Sequence, residues 1–261
     1  MKKFLLFIVT AVFSVSCVPV FYQVYKTSTS DQLNIVDSKL VYEDQNISIA
    51  YNLWGENGNI GFSFYNKTDD NIYLDLGESY FILNGYANNY FRNRTFTQTL
   101  SALQSSTIIP YSRYFISSYA ISASKGYSTS FIEERVVCIP SKTTKNISEY
   151  SINDVIIRNC DLFLYPTNKQ INTKIFPLNE SPLVFSNRIA YSIGAGADLI
   201  TIENKFFVSE ITNYPQASME YQAYEEICGK KSSLKKTYLR NVSPDNFYIK
   251  YTTLLDMDSK H

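Results

Sequence analysis

The chain has 261 residues, in which 24 Lys and Arg residues balance 24 Asp and Glu residues. A balanced charge without a basic stripe leaves nothing to neutralise phosphates, so we expect no nucleic-acid partner. The one histidine is the last residue, His261, so a zinc site with imidazole ligands and a Ser-His-Asp triad both lack an internal histidine. We therefore expect neither a bound metal nor a cofactor.

The amino terminus has the pattern of an export signal. Lys2 and Lys3 precede an apolar run over residues 4–13. About ten apolar residues match the central region of a signal peptide, whereas a membrane-spanning helix needs about 20. We predict that residues 1–16 are a lipoprotein signal peptide and take no part in the fold.

Cys17 follows this signal directly. Ser14 and Ser16 would satisfy the ordinary signal peptidase, which would leave Cys17 unmodified. The alternative is a lipobox, in which Cys17 becomes the first mature residue and carries acyl chains. The usual lipobox has Leu where this chain has Ser14. Because the chain has only four Cys, its placement favours lipidation, and several acyl chains give stable membrane attachment.

The first half of the mature chain is rich in strand patterns. Ile60, Phe62 and Phe64 alternate with small or polar residues, which is typical of a half-buried strand. Asn84-Gly85 is a strong signal for a hairpin turn. The strands predicted here cover residues 39–44, 47–54, 60–65, 72–76 and 80–83.

Residues 98–130 are rich in Ser and Tyr and have an irregular hydrophobic rhythm. This composition predicts a long insertion, either a loop or a weakly ordered helix around residues 114–123. A structureless loop of this length is uncommon inside a compact domain and is often functional.

Regular patterns return in the second half. Good helix formers and pairs of opposite charge predict a helix over residues 219–236. A long hairpin is predicted from residues 183–193 and 199–211. The other predicted strands cover residues 132–139, 147–152, 155–157, 162–165 and 247–252.

Many short strands joined by polar turns predict a mostly β chain. We expect an antiparallel β-sandwich with immunoglobulin-like character, one long Ser/Tyr-rich insertion and a short helix near the carboxyl terminus. Residues 17–38 are predicted to be a tether or amino-terminal segment, and residues 39–261 the sandwich domain with its insertion at about 98–130.

Three cysteines remain after Cys17, at Cys138, Cys160 and Cys228. An oxidising compartment would allow one disulfide. Cys138 and Cys160 both lie in strand-like runs, so a bond between them is possible on this pattern. The alternative is that all three are small buried hydrophobic residues.

Trp54 and the 22 tyrosines could form a platform that stacks on sugar rings, with Trp54 as the ligand-facing aromatic. The alternative is that Trp54 packs in the core and the tyrosines are half-buried.

Carboxylate pairs for glycoside hydrolysis would be Asp75 with Glu78 or Glu133 with Glu134. Charged residues at turns and strand ends explain them better, and we expect no catalytic residues.

Four runs of the chain carry a likeness to known proteins. They are ISIAYNLWGENGNIGFSFYNKTDDNIYLDLGESYFILNG (residues 47–85), CIPSKTTKNISEYSI (residues 138–152), PLVFSNRIAYSIG and FFVSEI. These runs resemble small Bacteroides-type cell-envelope lipoproteins of unknown function. The likeness covers most of the mature chain, and the family offers no established activity.

This resemblance implies a lipidated protein of the cell envelope. In such bacteria, acidic residues just after the Cys often mark export to the cell surface, and residues 18–22 contain none. That favours an anchor in the outer membrane that faces the periplasm.

The sequence thus predicts a lipid-anchored cell-envelope protein that is not an enzyme and acts as a structural or protein-interaction module. Its expected partners are the membrane, through the lipid, and other envelope proteins. The alternative is a glycan-binding lipoprotein that uses exposed aromatic residues.

Overall fold

The computed structural model describes residues 18–30, 33–107 and 120–254. Regular structure in this part of the chain is almost entirely β-strand, and every pair of named strands is antiparallel. The helices described are one short α-helix, α1 (Gln216–Met219), and a 3-10 turn, Leu178–Glu180. Neither is long and apolar enough to span a bilayer. The prediction of a mostly β chain with antiparallel sheets is confirmed.

The larger of two sheets, here the main sheet, contains eight strands. They are β1 (Val20–Thr29), β6 (Ile72–Leu83), β7 (Tyr86–Asn89), β10 (Val136–Ile139), β12 (Thr173–Ile175), β13 (Val184–Ile193), β14 (Ile200–Pro215) and β17 (Asn246–Thr252). The order across the sheet is β10-β6-β13-β14-β1-β17, with β7 paired to β6 and β12 paired to β14.

The second sheet, here the small sheet, contains five strands in the order β11-β5-β4-β3-β2. They are β2 (Asn34–Val36), β3 (Lys39–Glu43), β4 (Ile47–Tyr51), β5 (Phe62–Asn66) and β11 (Thr144–Ile147). Strands β2 to β5 follow the chain order, so each is joined to the next by a local connection.

The inner faces of these sheets share one hydrophobic core, and together the sheets form what is called here the two-sheet body. Ile49 and Phe64 of the small sheet are fully buried, as the alternation in β4 and β5 predicts. Aromatic rings meet across the two layers: the ring centroids of Tyr51 and Phe206 are 5.4 Å apart. Burial of each such side chain contributes about 2 kcal/mol to stability.

Four further strands form two separate hairpins. They are β8 (Thr95–Thr107) with β9 (Ala120–Ile132), and β15 (Glu220–Ile227) with β16 (Lys230–Leu239). Among the described residues, each of these strands pairs only with its partner. Both hairpins therefore stand outside the two-sheet body.

The structure differs from the predicted tether over residues 17–38. Residues 20–29 form β1, which lies between β14 and β17 in the main sheet. Residues 21–25 are buried without a break, because both faces of the strand are covered. A strand buried on both faces lacks the period-two alternation of a half-buried strand, so the alternation did not reveal it.

The chain between β11 and β12 packs against the inner face of the main sheet without forming strands. Short strands predicted at residues 155–157 and 162–165 are wrong. The backbone here bonds to buried side chains: the Gln23 amide donates to the Ile157 carbonyl at 2.9 Å, and the Asn213 amide donates to the Phe163 carbonyl at 2.9 Å. These side-chain bonds replace a strand ladder.

The helix predicted over residues 219–236 is wrong, because the chain forms β15 and β16 there. Cys228 and Gly229 have φ angles of 51° and 74°, as a two-residue hairpin turn requires. Tyr221 pairs with Tyr238 across the strands, with ring centroids 5.6 Å apart. Turn geometry and cross-strand packing outweigh the modest helix propensities. The short helix expected near the carboxyl terminus is therefore not confirmed, and the described α1 covers only Gln216–Met219.

The Ser/Tyr-rich insertion forms strands where a loop or helix was predicted. Thr95–Thr107 pairs residue by residue with Ala120–Ile132. Residues 108–119 lie outside the described residues, as does most of the helix expected at 114–123. Thr favours extended backbone because its Cβ is branched, and it does so without supplying an apolar face. A strand rich in Thr and Ser therefore shows no periodic hydrophobic pattern in its sequence.

Candidate functional site

The residues predicted to carry function lie in different parts of the molecule. Cys17 lies outside the described residues. Cys138 is in the edge strand β10. Cys160 is not in a strand but in the chain between β11 and β12, residues 148–172, here called the irregular segment. Both are exposed and have free thiols, as does Cys228 in the turn between β15 and β16. They are thus not the buried hydrophobic residues of the alternative, and a bond between Cys138 and Cys160 stays a prediction.

Trp54 lies in a small apolar cluster on the outer face of the main sheet. Tyr22, Val24 and Met219 are buried there, and Trp54 and Tyr248 pack against them. The ring centroids of Trp54 and Tyr248 are 5.2 Å apart. Trp54 is partly exposed, so one side of the indole is packed while part of its surface remains in contact with solvent.

The base of the β8–β9 hairpin is held by Glu133. One carboxylate oxygen accepts hydrogen bonds from the backbone N–H groups of Arg92 and Arg94, at 2.9 and 3.0 Å. The other oxygen pairs with the Arg94 guanidinium at 2.5 Å, and this guanidinium also reaches Glu149 at 2.8 Å. The two ends of the hairpin are thereby joined to each other and to the segment after β11.

These bonds set the protonation of the carboxylate. The hydrogen bond from Arg94, with backbone donors adding to it, lowers the pKa of Glu133 to about 2. The Glu133 side chain is 9% exposed, whereas Glu134 is exposed. The predicted pair of Glu133 and Glu134 therefore does not share a site, and Glu133 has a structural role.

Asp75 and Glu78 meet at a bulge in β6, where the register with β13 shifts. Asp75 accepts hydrogen bonds from the backbone of Gly77 at 2.9 Å and of Glu78 at 3.2 Å. Both carboxylates also pair with Arg135, at 3.3 and 3.2 Å. A Cβ at position 77 would lie 2.5 Å from the Arg135 Nε atom, so a larger residue there would displace the Arg135 side chain from its ion pairs. This carboxylate pair stabilises the bulge.

A groove of about 620 Å³ lies on the outer face of the main sheet beside this bulge. Its walls include Glu78, Tyr80, Arg188 and Glu203, and the Arg188 guanidinium lies 3.0 Å from the Glu203 carboxylate. Burial raises the pKa of Glu203, but hydrogen bonds from Arg188 and Ser186 outweigh it, so the pKa lies below its usual value. Sequence patterns did not predict this groove, because a bulge and residues of four strands, β6, β7, β13 and β14, form it.

The β15–β16 hairpin presents aromatic and basic side chains on both faces. On one face the Arg240 guanidinium lies 4.9 Å from the centre of the Tyr221 ring, which stacks on Tyr238. On the other face the Lys235 ammonium lies 5.2 Å from the Tyr224 ring. Most residues of both strands are exposed. Such cation–ring pairs are marginal in water and strengthen when desolvated.

The hairpin is attached to the main sheet at its base. Met219 is buried against Tyr22, and Leu239 packs beside them. The Tyr22 hydroxyl donates a hydrogen bond to Glu220. Burial, followed by this bond to an anion, raises the pKa of Tyr22. The base is therefore fixed at the third residue of β1.

Strand register places the two hairpin bases at opposite ends of the main sheet. Tyr22 pairs with Tyr214, near the end of β14. The β8–β9 base lies beside Arg135, which is bound to Asp75. Asp75 pairs with Ala190 of β13, and Ala190 pairs with Thr201 near the start of β14. At about 3.3 Å per residue these positions are about 40 Å apart along the strand.

Among the described residues, no group of three or more His, Cys, Asp or Glu side chains could hold a metal ion. In comparisons with known proteins, no family model matches the chain, and no curated protein or solved structure shows significant similarity to it.

Proposed function

We propose that the chain is a lipid-anchored cell-envelope protein that acts as a non-enzymatic protein-interaction module. Cys17 carries the lipid, and the anchor lies in the outer membrane and faces the periplasm. The partners are other envelope proteins. The two-sheet body is an immunoglobulin-like sandwich in this proposal, a reading supported by two antiparallel sheets around one core. The observation that carries the proposal is the β8–β9 hairpin, whose strands pair only with each other among the described residues.

The position of Cys17 relative to the fold supports the anchor. Only Val18 and Pro19 separate Cys17 from the start of β1, and three residue steps span at most about 11 Å. A lipid on Cys17 would hold that end of the main sheet at the membrane. The β8–β9 base, at the other end of the main sheet, would then face away from the membrane.

A two-stranded hairpin of this length supports a role in partner binding. Each strand has 13 residues, and within residues 18–30, 33–107 and 120–254 no further strand pairs with the outer edge of either one. Such edges accept an additional strand from another protein. An isolated hairpin is marginally stable, so a partner that adds a strand would also stabilise it.

Membrane fractionation tests the anchor. Wild type should sediment with membranes and Cys17→Ala should not become lipidated and should move to the soluble fraction. Cys138→Ala is the matched control and should behave as wild type. The lipid anchor would be ruled out if Cys17→Ala stayed with the membranes as wild type does and mass spectrometry found no acyl chains on the wild-type protein.

Cross-linking in intact cells tests the interaction module. Wild type should capture discrete envelope proteins, and deletion of residues 98–129 should abolish the capture. Deletion of residues 223–236 shortens the other hairpin in the same way and should leave the capture unchanged. Equal capture by both deletion variants would contradict a role for β8–β9.

Glycan binding is the second candidate, and it is favoured by the half-buried Trp54–Tyr248 pair on the outer face of the main sheet. If the partly exposed indole stacks on a sugar ring, Trp54→Ala should weaken retention by an envelope polysaccharide in affinity electrophoresis about tenfold. Phe163→Ala removes another exposed aromatic ring and should have no effect. Retention that is the same for both variants excludes this site.

A further inference from the structure

We propose that the β15–β16 hairpin lies against the membrane and binds anionic phospholipid headgroups. This inference rests on the proposed lipidation of Cys17 and deepens it, because it assigns a second membrane contact and therefore an orientation to the anchored protein.

Proximity to the anchor is the first support. The hairpin base is fixed at Tyr22, five residues after Cys17, and five residues span at most about 18 Å. The hairpin strands are up to ten residues long, or about 30 Å. A hairpin of this length, attached this near to the lipid, can reach the bilayer surface.

Charge is the second support. The chain as a whole is balanced, but residues 220–240 contain five basic side chains and three acidic ones. Glu220 is bound at the base to Tyr22, and Glu225 forms an ion pair with Lys236. Lys230 and Lys231, beside the turn, form no ion pair with any residue that the structure describes. Glu226, which lies opposite Lys231 in the strand register, is the one acidic side chain among the described residues beside these two lysines, so a net positive charge remains at the turn for an anionic partner.

Apolar exposure is the third support. Ile227 and Leu234, on either side of the turn, are 57% and 63% exposed. Tyr221, Tyr224 and Tyr238 are exposed along the strands. Aliphatic and tyrosine side chains enter the boundary between headgroups and acyl chains, while Lys and Arg extend their charged ends to the headgroups. This combination on both faces of the hairpin fits a lipid surface better than it fits the single face of a protein partner.

Lys and Arg side chains beside an anionic bilayer are attracted to its headgroups, so the lysines at the turn should decide the contact. Cys228 lies between Ile227 and these lysines and is exposed with a free thiol. It is therefore a natural attachment point for a polarity-sensitive fluorophore. Cys138, on β10, lies toward the other end of the main sheet, since it pairs with Tyr73 of β6, and serves as the control position.

The experiment uses the lipidated full chain in vesicles, labelled at Cys228 in a Cys138→Ser/Cys160→Ser background. Vesicles of phosphatidylcholine with phosphatidylglycerol should shift the emission to the blue and reduce quenching by aqueous iodide several-fold, and vesicles of phosphatidylcholine alone should not. A label on Cys138, with the other two cysteines replaced, should stay water-like in both. Lys230→Glu/Lys231→Glu should abolish the shift, and the matched variant Lys39→Glu/Lys145→Glu should retain it.

The outcomes separate this inference from the proposed function. If the chain floats with the vesicles but the Cys228 label stays water-like, the hairpin contact is overturned while the lipid anchor stands. Equal shifts in the two kinds of vesicle, or a shift that survives Lys230→Glu/Lys231→Glu, overturn recognition of anionic headgroups. A shift that requires added envelope protein assigns the hairpin to a protein partner. A chain that does not float overturns both proposals.

Discussion

Glu133 illustrates how a single side chain can have a role that its type does not suggest. A Glu beside another Glu could be half of a hydrolytic pair, but Glu133 is almost buried and accepts two backbone hydrogen bonds and a guanidinium. The same holds for Asp75, which stabilises a bulge. At the scale of the residue, the chemistry of these carboxylates is that of charge-assisted hydrogen bonds within the fold.

Replacement of Glu133 by Gln should loosen the base of the β8–β9 hairpin. The Gln amide keeps the shape of the Glu side chain but lacks its negative charge. Hydrogen bonds to a charged carboxylate each stabilise the fold by about 2 kcal/mol, more than bonds to a neutral amide. Hydrogen exchange of the Arg92 and Arg94 backbone N–H groups should accelerate by more than tenfold. Glu134→Gln, at the exposed neighbour, should change neither rate.

Acid should have the same local effect on wild type. The pKa of Glu133 is lowered from 4.5 to about 2, so the folded state binds this proton less tightly than the unfolded state. Its contribution is complete above about pH 4.5 and is lost as the pH falls toward 2. Protection of the two amides, corrected for intrinsic exchange, should fall across this window in wild type and stay flat in Glu133→Gln. A flat profile in wild type would show that Glu133 does not hold the base.

At the scale of the element, sequence patterns succeeded where one face of a strand is buried. The alternation around Ile49 and Phe64 predicted β4 and β5, and the pair β13 and β14 matches the predicted long hairpin closely. In β4 and β5 every second side chain is buried in the core, and this burial is what their hydrophobic alternation reflects.

Strands without this alternation were not predicted from the sequence. β1 is covered on both faces, and β8 with β9 pairs outside the core, so neither has a hydrophobic period of two. β15 and β16 contain residues that also suit a helix, and the turn at Cys228-Gly229 decided the outcome. Propensity is a weak guide when cross-strand partners and turns compete with it.

At the scale of the whole molecule, buried polar side chains join the irregular segment to the main sheet. Gln23 is fully buried. Its amide donates to Asn213 at 2.8 Å and to the Ile157 carbonyl at 2.9 Å, and its carbonyl accepts from the Ile157 N–H at 2.7 Å. The Tyr25 hydroxyl also donates a hydrogen bond to the side-chain carbonyl of Gln23. One side chain thereby satisfies groups from three parts of the chain.

Gln23→Leu should therefore destabilise the protein globally. The substitution leaves the Ile157 backbone groups and the Tyr25 hydroxyl buried without this partner, which should lower the free energy of unfolding by about 3 kcal/mol. Urea denaturation measures the loss. Gln222→Leu makes the same change on an exposed strand and should cost less than about 0.5 kcal/mol. Equal losses in the two variants would contradict the role assigned to Gln23.

The sequence by itself determined the β class, the alternating strands of the core and the cysteine that stands after the apolar amino-terminal run. Each is a local property, encoded by hydrophobic period or by position along the chain. Tertiary structure decided which carboxylates hold bulges and hairpin ends, which strands are buried on both faces, and that two hairpins arise at opposite ends of the main sheet. These features depend on partners distant in sequence, and no local pattern records them.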